Sequence, residues 1–398
     1  MDIVITPGKL HGKLQAIASK SHAHRLLICA AFADTETQIV CQQTNRDIDA
    51  TADCLRALGA EITRTPGGFY VVPARNIPTT AVLNCCESGS TLRFMLPIVG
   101  ALGVDGTFLM EGRLPQRPLS PLWEEMERMG CMLTRPTENT LRCCGKLQGG
   151  NFRISGSVSS QFITGLLYAC TLIGEESSIE ITGNLESKPY IALTQQAMLQ
   201  FGIDTAGFHI AKETRFRSPG HVCVEGDWSN AAFFLAANAL GSNIELENLN
   251  EGSAQGDKAI SPLLHQMQLH ITVDASDIPD LVPILSVAAA CMQGAVFTNI
   301  QRLRIKESDR VASVIALLKA LGGDAWADEN TMTVLPCRFT GGTVDACGDH
   351  RIAMTAAIAA TAANGPVTIL GAQCVEKSYP AFWSEFKRLG GNYEQYIR

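Results

Sequence analysis

Cationic and hydroxyl side chains recur in this sequence where a polar start opens into an apolar helical run. Lys20, Ser21 and Arg25 stand in ASKSHAHR; Gly89 and Arg93 stand in ESGSTLRFMLP, with Arg117 following in RPLSPL. Ser159, Ser160 and Gln161 occupy SVSSQFITGLL, and Ser187 with Lys188 occupies SKPYI. The second half adds Asp280 in DIPDLVPIL, then Lys306, Glu307 and Arg310 in RIKESDR. Asp349, His350 and Arg351 follow in GDHRIAM, and Lys377 in VEKSYP. Helix N-termini attract anions through their free N–H groups. Arginine offers a bidentate fork and lysine a point charge for phosphate and carboxylate. Taken singly, a Ser or Asp before a helix is usually an N-cap, and Lys or Arg is usually a solvated surface group. Their joint placement at element ends points instead to two small substrates carrying several phosphate and carboxylate charges. Two unit charges 4 Å apart interact by ~4 kcal/mol at an effective dielectric of 20. A cleft that closes over such ligands gains from excluding water, and its crowded cations favour an open cleft when it is empty.

The composition narrows the alternatives. A chain of 398 residues at ~150 residues per domain gives two or three domains. It is 46 % hydrophobic and only 18 % charged, against the ~25 % charged that soluble domains usually carry, which excludes disorder and coiled coil. The net charge of −7 argues against a nucleic-acid partner held by phosphate neutralisation. No apolar run approaches the ~20 residues that span a bilayer, so no membrane association is expected. MDIVITPGKL lacks the basic flank and apolar stretch of a signal peptide, so the expected location is the cytoplasm. The 14 cysteines and eight histidines show no C-x-x-C or Cys/His ligand spacing, and no metal is expected. Reduced, mostly buried thiols fit a reducing compartment.

The elements that position these residues repeat six times. An amphipathic stretch ends in a bulky apolar residue and glycine at Gly59, Gly130, Gly202, Gly322 and Gly390, with Gln268 in the weakest copy. Each glycine reads as a helix C′ residue in the left-handed region. Each stretch follows an apolar helix, and the spacings from Ser21, Ser90, Ser159, Ser229, Asp280 and His350 to these ends run from 38 to 43 residues. Hairpin-like segments such as EITRTPGGFYVVP separate the copies. The unit is therefore βαβαββ, and the fold class is α/β, with six such units in two lobes of three. The fourth copy lacks part of its hairpin. The sixth ends in NYEQYIR without a final strand, which the N-terminal DIVIT would supply. One lobe then comprises residues 1–16 and 227–398 and the other residues 17–226, with the first helices, apolar nearly all round, inside each lobe. The six helix starts would face a cleft between the lobes, which would hold the active site.

The motif series, in this order over nearly the whole chain, resembles that of the 5-enolpyruvylshikimate-3-phosphate synthase (3-phosphoshikimate 1-carboxyvinyltransferase) family. The resemblance implies transfer of the enolpyruvyl group of phosphoenolpyruvate to the 5-hydroxyl of shikimate 3-phosphate, with release of phosphate. No metal or organic cofactor is implied, glyphosate is implied as a competitor of phosphoenolpyruvate, and a monomer is expected. Carried over by motif, shikimate 3-phosphate would be held by Lys20, Ser21, Arg25, Ser159, Ser160, Gln161, Ser187, Asp280 and Lys306. Phosphoenolpyruvate would be held by Lys20, Gly89, Arg117, Gln161, Arg310, Arg351 and Lys377. Glu307 would donate the proton to carbon, Asp280 would act as base near the 5-hydroxyl, and Lys20 would share the acid–base work. A carboxyl among cations tends to ionise, so Glu307 would need burial to carry a proton.

Three positions depart from the family pattern. Arg302 stands where many relatives carry a substrate-contacting Asn and is not assigned; Ser120 replaces a Gly; ESGST differs from the usual loop although Gly89 and Arg93 match. The rival UDP-N-acetylglucosamine enolpyruvyl transferases carry a Cys where this chain has Gly112. A non-catalytic anion-binding relative would not need Glu307, Asp280 and Lys20 together. A repeat-built clamp on DNA would need a basic inner face that a net acidic chain does not supply.

Overall fold

The computed structural model describes residues 1–396. The chain divides into two compact units. One joins Met1–Ile17 to the chain from Gly226 onward, and the other is Ala18–Glu225.

Six pairs of α-helices carry the repeat. They are α1 (Lys20–Ala31) and α2 (Arg46–Ala57), α3 (Gly89–Leu102) and α4 (Leu122–Arg128), and α5 (Ser160–Ile173) and α6 (Lys188–Gln200). Then come α7 (Trp228–Ala239) and α8 (Ile260–Gln266), α9 (Val282–Cys291) and α10 (Arg310–Ala320), and α11 (His350–Ala360) and α12 (Phe382–Arg388). The first helix of each pair is the inner one. Every residue of α11 is buried, and so is all of α9 but its last residue. Each Leu, Ile or Phe on these helices contributes about 1.5–3 kcal/mol by leaving water. The second helices stop where the sequence places glycine: Gly59, Gly130, Gly202, Gly322 and Gly390 all have φ between 78° and 108°.

Inside the unit Ala18–Glu225, α3 and α5 lie against each other at a proline. Pro97 removes the N–H that would bond the Arg93 carbonyl within α3. Gly165 of α5 rests on that carbonyl so closely that a Cβ there would overlap it. A side chain at Gly165 would therefore push the two inner helices apart.

A complete unit is shown by strands Thr80–Asn84 and Asp105–Leu109, paired in parallel, followed by Thr140–Gly145 and Cys131–Thr137 in antiparallel order. Among the described residues, four of the six sheets have four strands, the third unit's has three and the fourth unit's has two. The short fourth copy was legible in the sequence. The third copy's loss was not, because its hairpin shrinks to His209–Ile210. Its following strand, His221–Cys223, pairs in parallel with Thr37–Val40 of the first unit instead. In the other half, His11–Gln15 pairs in parallel with Asn243–Glu247. Asp2–Thr6 lies between Val367–Leu370 and Asn392–Tyr396, in the place of the final hairpin strand.

Candidate active site

In the unit Ala18–Glu225, three helix starts carry the expected residues. Ser19 caps α1 by accepting from His22 N at 3.4 Å, Ser88 caps α3 by accepting from Thr91 N at 3.2 Å, and Ser159 caps α5 by accepting from Gln161 N at 3.3 Å. Ser21, Ser90 and Ser229 do not cap, since each is the second helical residue. Their caps are Ser19, Ser88 and Asp227. A cap needs extended backbone just before the first helical residue, a place that Ser19, Ser88 and Asp227 occupy.

Lys20, the first residue of α1, pairs with Asp47 Oδ2 at 3.0 Å, and both side chains are largely buried. Arg25 is 2 % exposed. Its Nε donates to Thr194 Oγ1 at 2.8 Å, Nη1 to the Ser21 carbonyl at 2.6 Å, and Nη2 to the Tyr190 carbonyl at 3.0 Å and Thr164 Oγ1 at 3.5 Å. Arginine has five N–H donors, and Arg25 commits four of them, two to α6, one to α5 and one within α1 itself. Burial draws its pKa below the ordinary value. Ser187 precedes α6 in the left-handed region at φ 56°, ψ 38°, and makes no capping bond. That conformation is costly for serine and is held by its buried surroundings.

Gly89 opens α3 where two guanidinium groups converge. A Cβ at Gly89 would lie 2.6 Å from Nη1 of both Arg93 and Arg117, and 3.1 Å from Arg117 Cζ. Arg93 Nη2 donates to the Pro118 carbonyl at 3.1 Å, and its Nη1 donates to Gln161 Oε1 at 3.2 Å. Gln161 Nε2 in turn donates to Ser90 Oγ at 2.9 Å. The start of a 14-residue helix, two arginines and an oriented amide are thus brought to one place, with Ser160, 4 % exposed, beside them. Guanidinium groups beside a helix start are chemistry suited to an anion.

The unit containing Gly226 onward gathers the second set. Asp280 does not cap α9, whose cap position is Leu281 with no side-chain bond. Its carboxylate accepts instead from Arg310 Nη1 at 2.7 Å through Oδ1 and from Arg351 Nη2 at 2.9 Å through Oδ2, with Lys306 Nζ 3.5 Å from Oδ1. Arg310 Nη2 also donates to Glu307 Oε2 at 2.9 Å. Burial pushes the Asp280 carboxyl up, but Arg351, Lys306 and Arg310 override it and hold its pKa well below the ordinary value. Burial lowers Lys306 to about 8 against the pull of Asp280. Lys377 ends the 3₁₀ helix Ala372–Lys377, which Trp383 Nε1 anchors by donating to the Ala372 carbonyl at 3.1 Å.

Two acids at these sites carry no expectation from the sequence. Asp47 sits in the first turn of α2, where an acid reads as a partner of the helix dipole. Asp257, in the 3₁₀ helix Gly256–Ala259, accepts from the Ser229 hydroxyl and has its Oδ1 buried without a hydrogen-bond partner. Burial, then the charge of Asp280, raise its carboxyl to about 7. A carboxyl with a raised folded pKa subtracts stability as pH climbs from the ordinary value towards the folded one. Asp257 therefore weakens the fold at neutral pH. Among the described residues no group of three or more His, Cys, Asp or Glu could hold a metal ion, and no helix is long and apolar enough to cross a membrane.

A family model described as EPSP synthase (3-phosphoshikimate 1-carboxyvinyltransferase) matches residues 4–278 and 270–386. Curated proteins named 3-phosphoshikimate 1-carboxyvinyltransferase are similar over almost the full length. That of Clostridium beijerinckii is 36 % identical over 429 residues, covering 99 % of each chain. That of Clostridium perfringens is 37 % identical over 417 residues, covering 98 % of each. Among solved structures, an EPSP synthase from Acinetobacter baumannii superposes with a TM-score of 0.82 at 23 % identity, covering 99 % of this chain and all of that one. That likeness supports the α/β fold of repeated units.

Proposed function

The chain belongs to the EPSP synthase (3-phosphoshikimate 1-carboxyvinyltransferase) family, and we infer that the two residue sets are the binding and acid–base groups of that reaction. The enzyme transfers the enolpyruvyl group of phosphoenolpyruvate to the 5-hydroxyl of shikimate 3-phosphate. Protonation of the methylene carbon makes the adjacent carbon electrophilic, and the hydroxyl adds to it, giving a tetrahedral ketal. Loss of a proton from the new methyl group and cleavage of the carbon–oxygen bond to phosphate complete the transfer. Glu307 gives and retrieves the carbon-bound proton. Asp280 takes the hydroxyl proton, which leaves with the phosphate, and Lys20 assists in this exchange. Phosphoenolpyruvate is assigned to Lys20, Gly89, Arg117, Gln161, Arg310, Arg351 and Lys377. Shikimate 3-phosphate is assigned to Lys20, Ser21, Arg25, Ser159, Ser160, Gln161, Ser187, Asp280 and Lys306.

The observation that carries this reading is the crossing of Asp280 and Glu307 with the anion-binding cations. Three cations hold Asp280 ionised, so on its own it is a weak base. Substrate phosphate and carboxylate arriving on Arg310, Arg351 and Lys306 take those cations from Asp280 and Glu307. Each carboxyl then becomes more basic, Asp280 able to accept a proton and Glu307 able to carry one. Acid–base competence thus comes with the substrates. The enzyme acts as a monomer in the cytoplasm on these small molecules.

The purified protein is expected to release phosphate only when shikimate 3-phosphate and phosphoenolpyruvate are both present, and at the same rate with excess chelator. Turnover lost to EDTA and restored by a divalent ion would contradict the metal-free reading. Gly89 gives a second test. In Gly89→Ala the new methyl displaces the guanidinium ends of Arg93 and Arg117, both 2.6 Å from the added carbon. The KM for phosphoenolpyruvate is expected to rise about tenfold, since displacement of a reacting group by about 1 Å costs up to about a hundredfold. The inhibition constant of glyphosate, a longer anion, is expected to rise more. Equal losses would place the methyl outside the inhibitor's path.

A further inference from the structure

We propose that Asp349 is a positioning residue that locks Arg310 and Arg351 into a two-arginine clamp for one anionic group; this rests on the assignment of both arginines to phosphoenolpyruvate. Four residues form a closed ring, one of its links through a backbone N–H. Asp349 Oδ2 accepts from Arg310 Nε at 2.8 Å, and Arg310 Nη1 donates to Asp280 Oδ1 at 2.7 Å. Asp280 Oδ2 accepts from Arg351 Nη2 at 2.9 Å, and the backbone N of Arg351 returns to Asp349 Oδ1 at 3.0 Å. Ser308 Oγ donates to Asp349 Oδ2 at 3.1 Å and fixes the carboxylate from a further side.

The two aspartates of the ring are not equivalent. The Asp280 side chain is 18 % exposed and that of Asp349 is 0 % exposed. An arriving anion can displace Asp280 from the arginines but cannot reach Asp349. Asp349 holds Arg310 through Nε at 2.8 Å and, more loosely, Nη2 at 3.5 Å, so Nη1 stays turned towards Asp280 while Nη2 also reaches Glu307. As the cap of α11, it also sets the backbone of Arg351 two residues later. A cap alone would be served as well by serine or asparagine. The charge is needed only for the arginine.

The test is Asp349→Asn in the full-length enzyme, which keeps a capping oxygen and removes the charge. The KM for phosphoenolpyruvate is expected to rise about tenfold or more, the scale of one charge-assisted hydrogen bond. The KM for shikimate 3-phosphate is expected to stay within about twofold. A structural role alone would lower the melting temperature and the active fraction while leaving that KM at its wild-type value, and this outcome overturns the proposal. If Asp349→Asn does not fold, Ser308→Ala serves instead. It is expected to raise the phosphoenolpyruvate KM about two- to fivefold, as for one neutral hydrogen bond, and an unchanged KM again overturns the proposal. Wild-type enzyme that releases no phosphate from the two substrates refutes the functional reading itself; an active wild type with an unresponsive Asp349→Asn refutes only the clamp.

Discussion

Turnover of Glu307→Gln is expected to fall by ~10²–10⁴-fold, the range for a lost general acid–base group. Both KM values are expected to change by less than about threefold. Glutamine keeps the shape of the side chain and an oxygen to accept from Arg310 Nη2, the contact that Glu307 makes at 2.9 Å, so the cation beside it is not released. What disappears is a proton that can pass to the methylene carbon and return. Steady-state kinetics with each substrate varied in turn separates the two effects. Near-normal turnover would leave Glu307 as a counter-ion of Arg310 and nothing more.

Loss of the Arg310 charge is expected to damage the fold itself. Arg310 is 2 % exposed and donates to Asp280, Glu307 and Asp349. Arg310→Met fills much of the space but leaves three carboxylates facing one another, with Asp349 fully buried. Removing one partner of a buried ionic cluster costs about 3–5 kcal/mol. The pH dependence changes sign as well. In the wild type the Asp349 and Asp280 carboxyls titrate below the ordinary value of 3.8, because the arginines outweigh the effect of burial. They contribute stability above that value and lose it as pH falls through their folded pKa values. In Arg310→Met burial prevails at Asp349, whose carboxyl is raised, so stability is expected to fall as pH rises from the ordinary carboxylate range towards neutrality. Thermal melts across that range check both statements, and a variant as stable as wild type at neutral pH would refute the first.

Much of this arrangement was legible in the sequence because it rests on local rules. A positive φ after the outer helices demanded glycine, and all five glycines have it. Helices apolar on every side had to be interior, as α9 and α11 are. The cations at helix starts stood out in a chain poor in charge. What escaped depends on pairing across long separations. Nothing near His221 says that it belongs beside Gln38 rather than with the hairpin before it. Asp47 lies 27 residues from Lys20 and Asp257 28 residues from Ser229, and each looks locally like an ordinary acid at a helical turn. The serine caps shifted by two residues because capping is settled by backbone angles that a sequence of alternating serines leaves open.

The placement of strands Asp2–Thr6 and His11–Gln15 inverts the order of making and the order of assembly. On the ribosome the unit Ala18–Glu225 holds all its strands once residue 225 has emerged, and it can close while synthesis continues. The first two strands have no such opportunity. His11–Gln15 waits for Asn243–Glu247, and Asp2–Thr6 waits for Val367–Leu370 and Asn392–Tyr396. Ile3 and Ile5, buried in the finished fold, have no native strand to pair with until those partners are made, and an unpaired strand is a template for stray pairing. Asp2–Thr6 is thus sewn in only after partners more than 360 residues further along the chain have been made, so its strand pairing comes late in assembly although its residues come early in sequence.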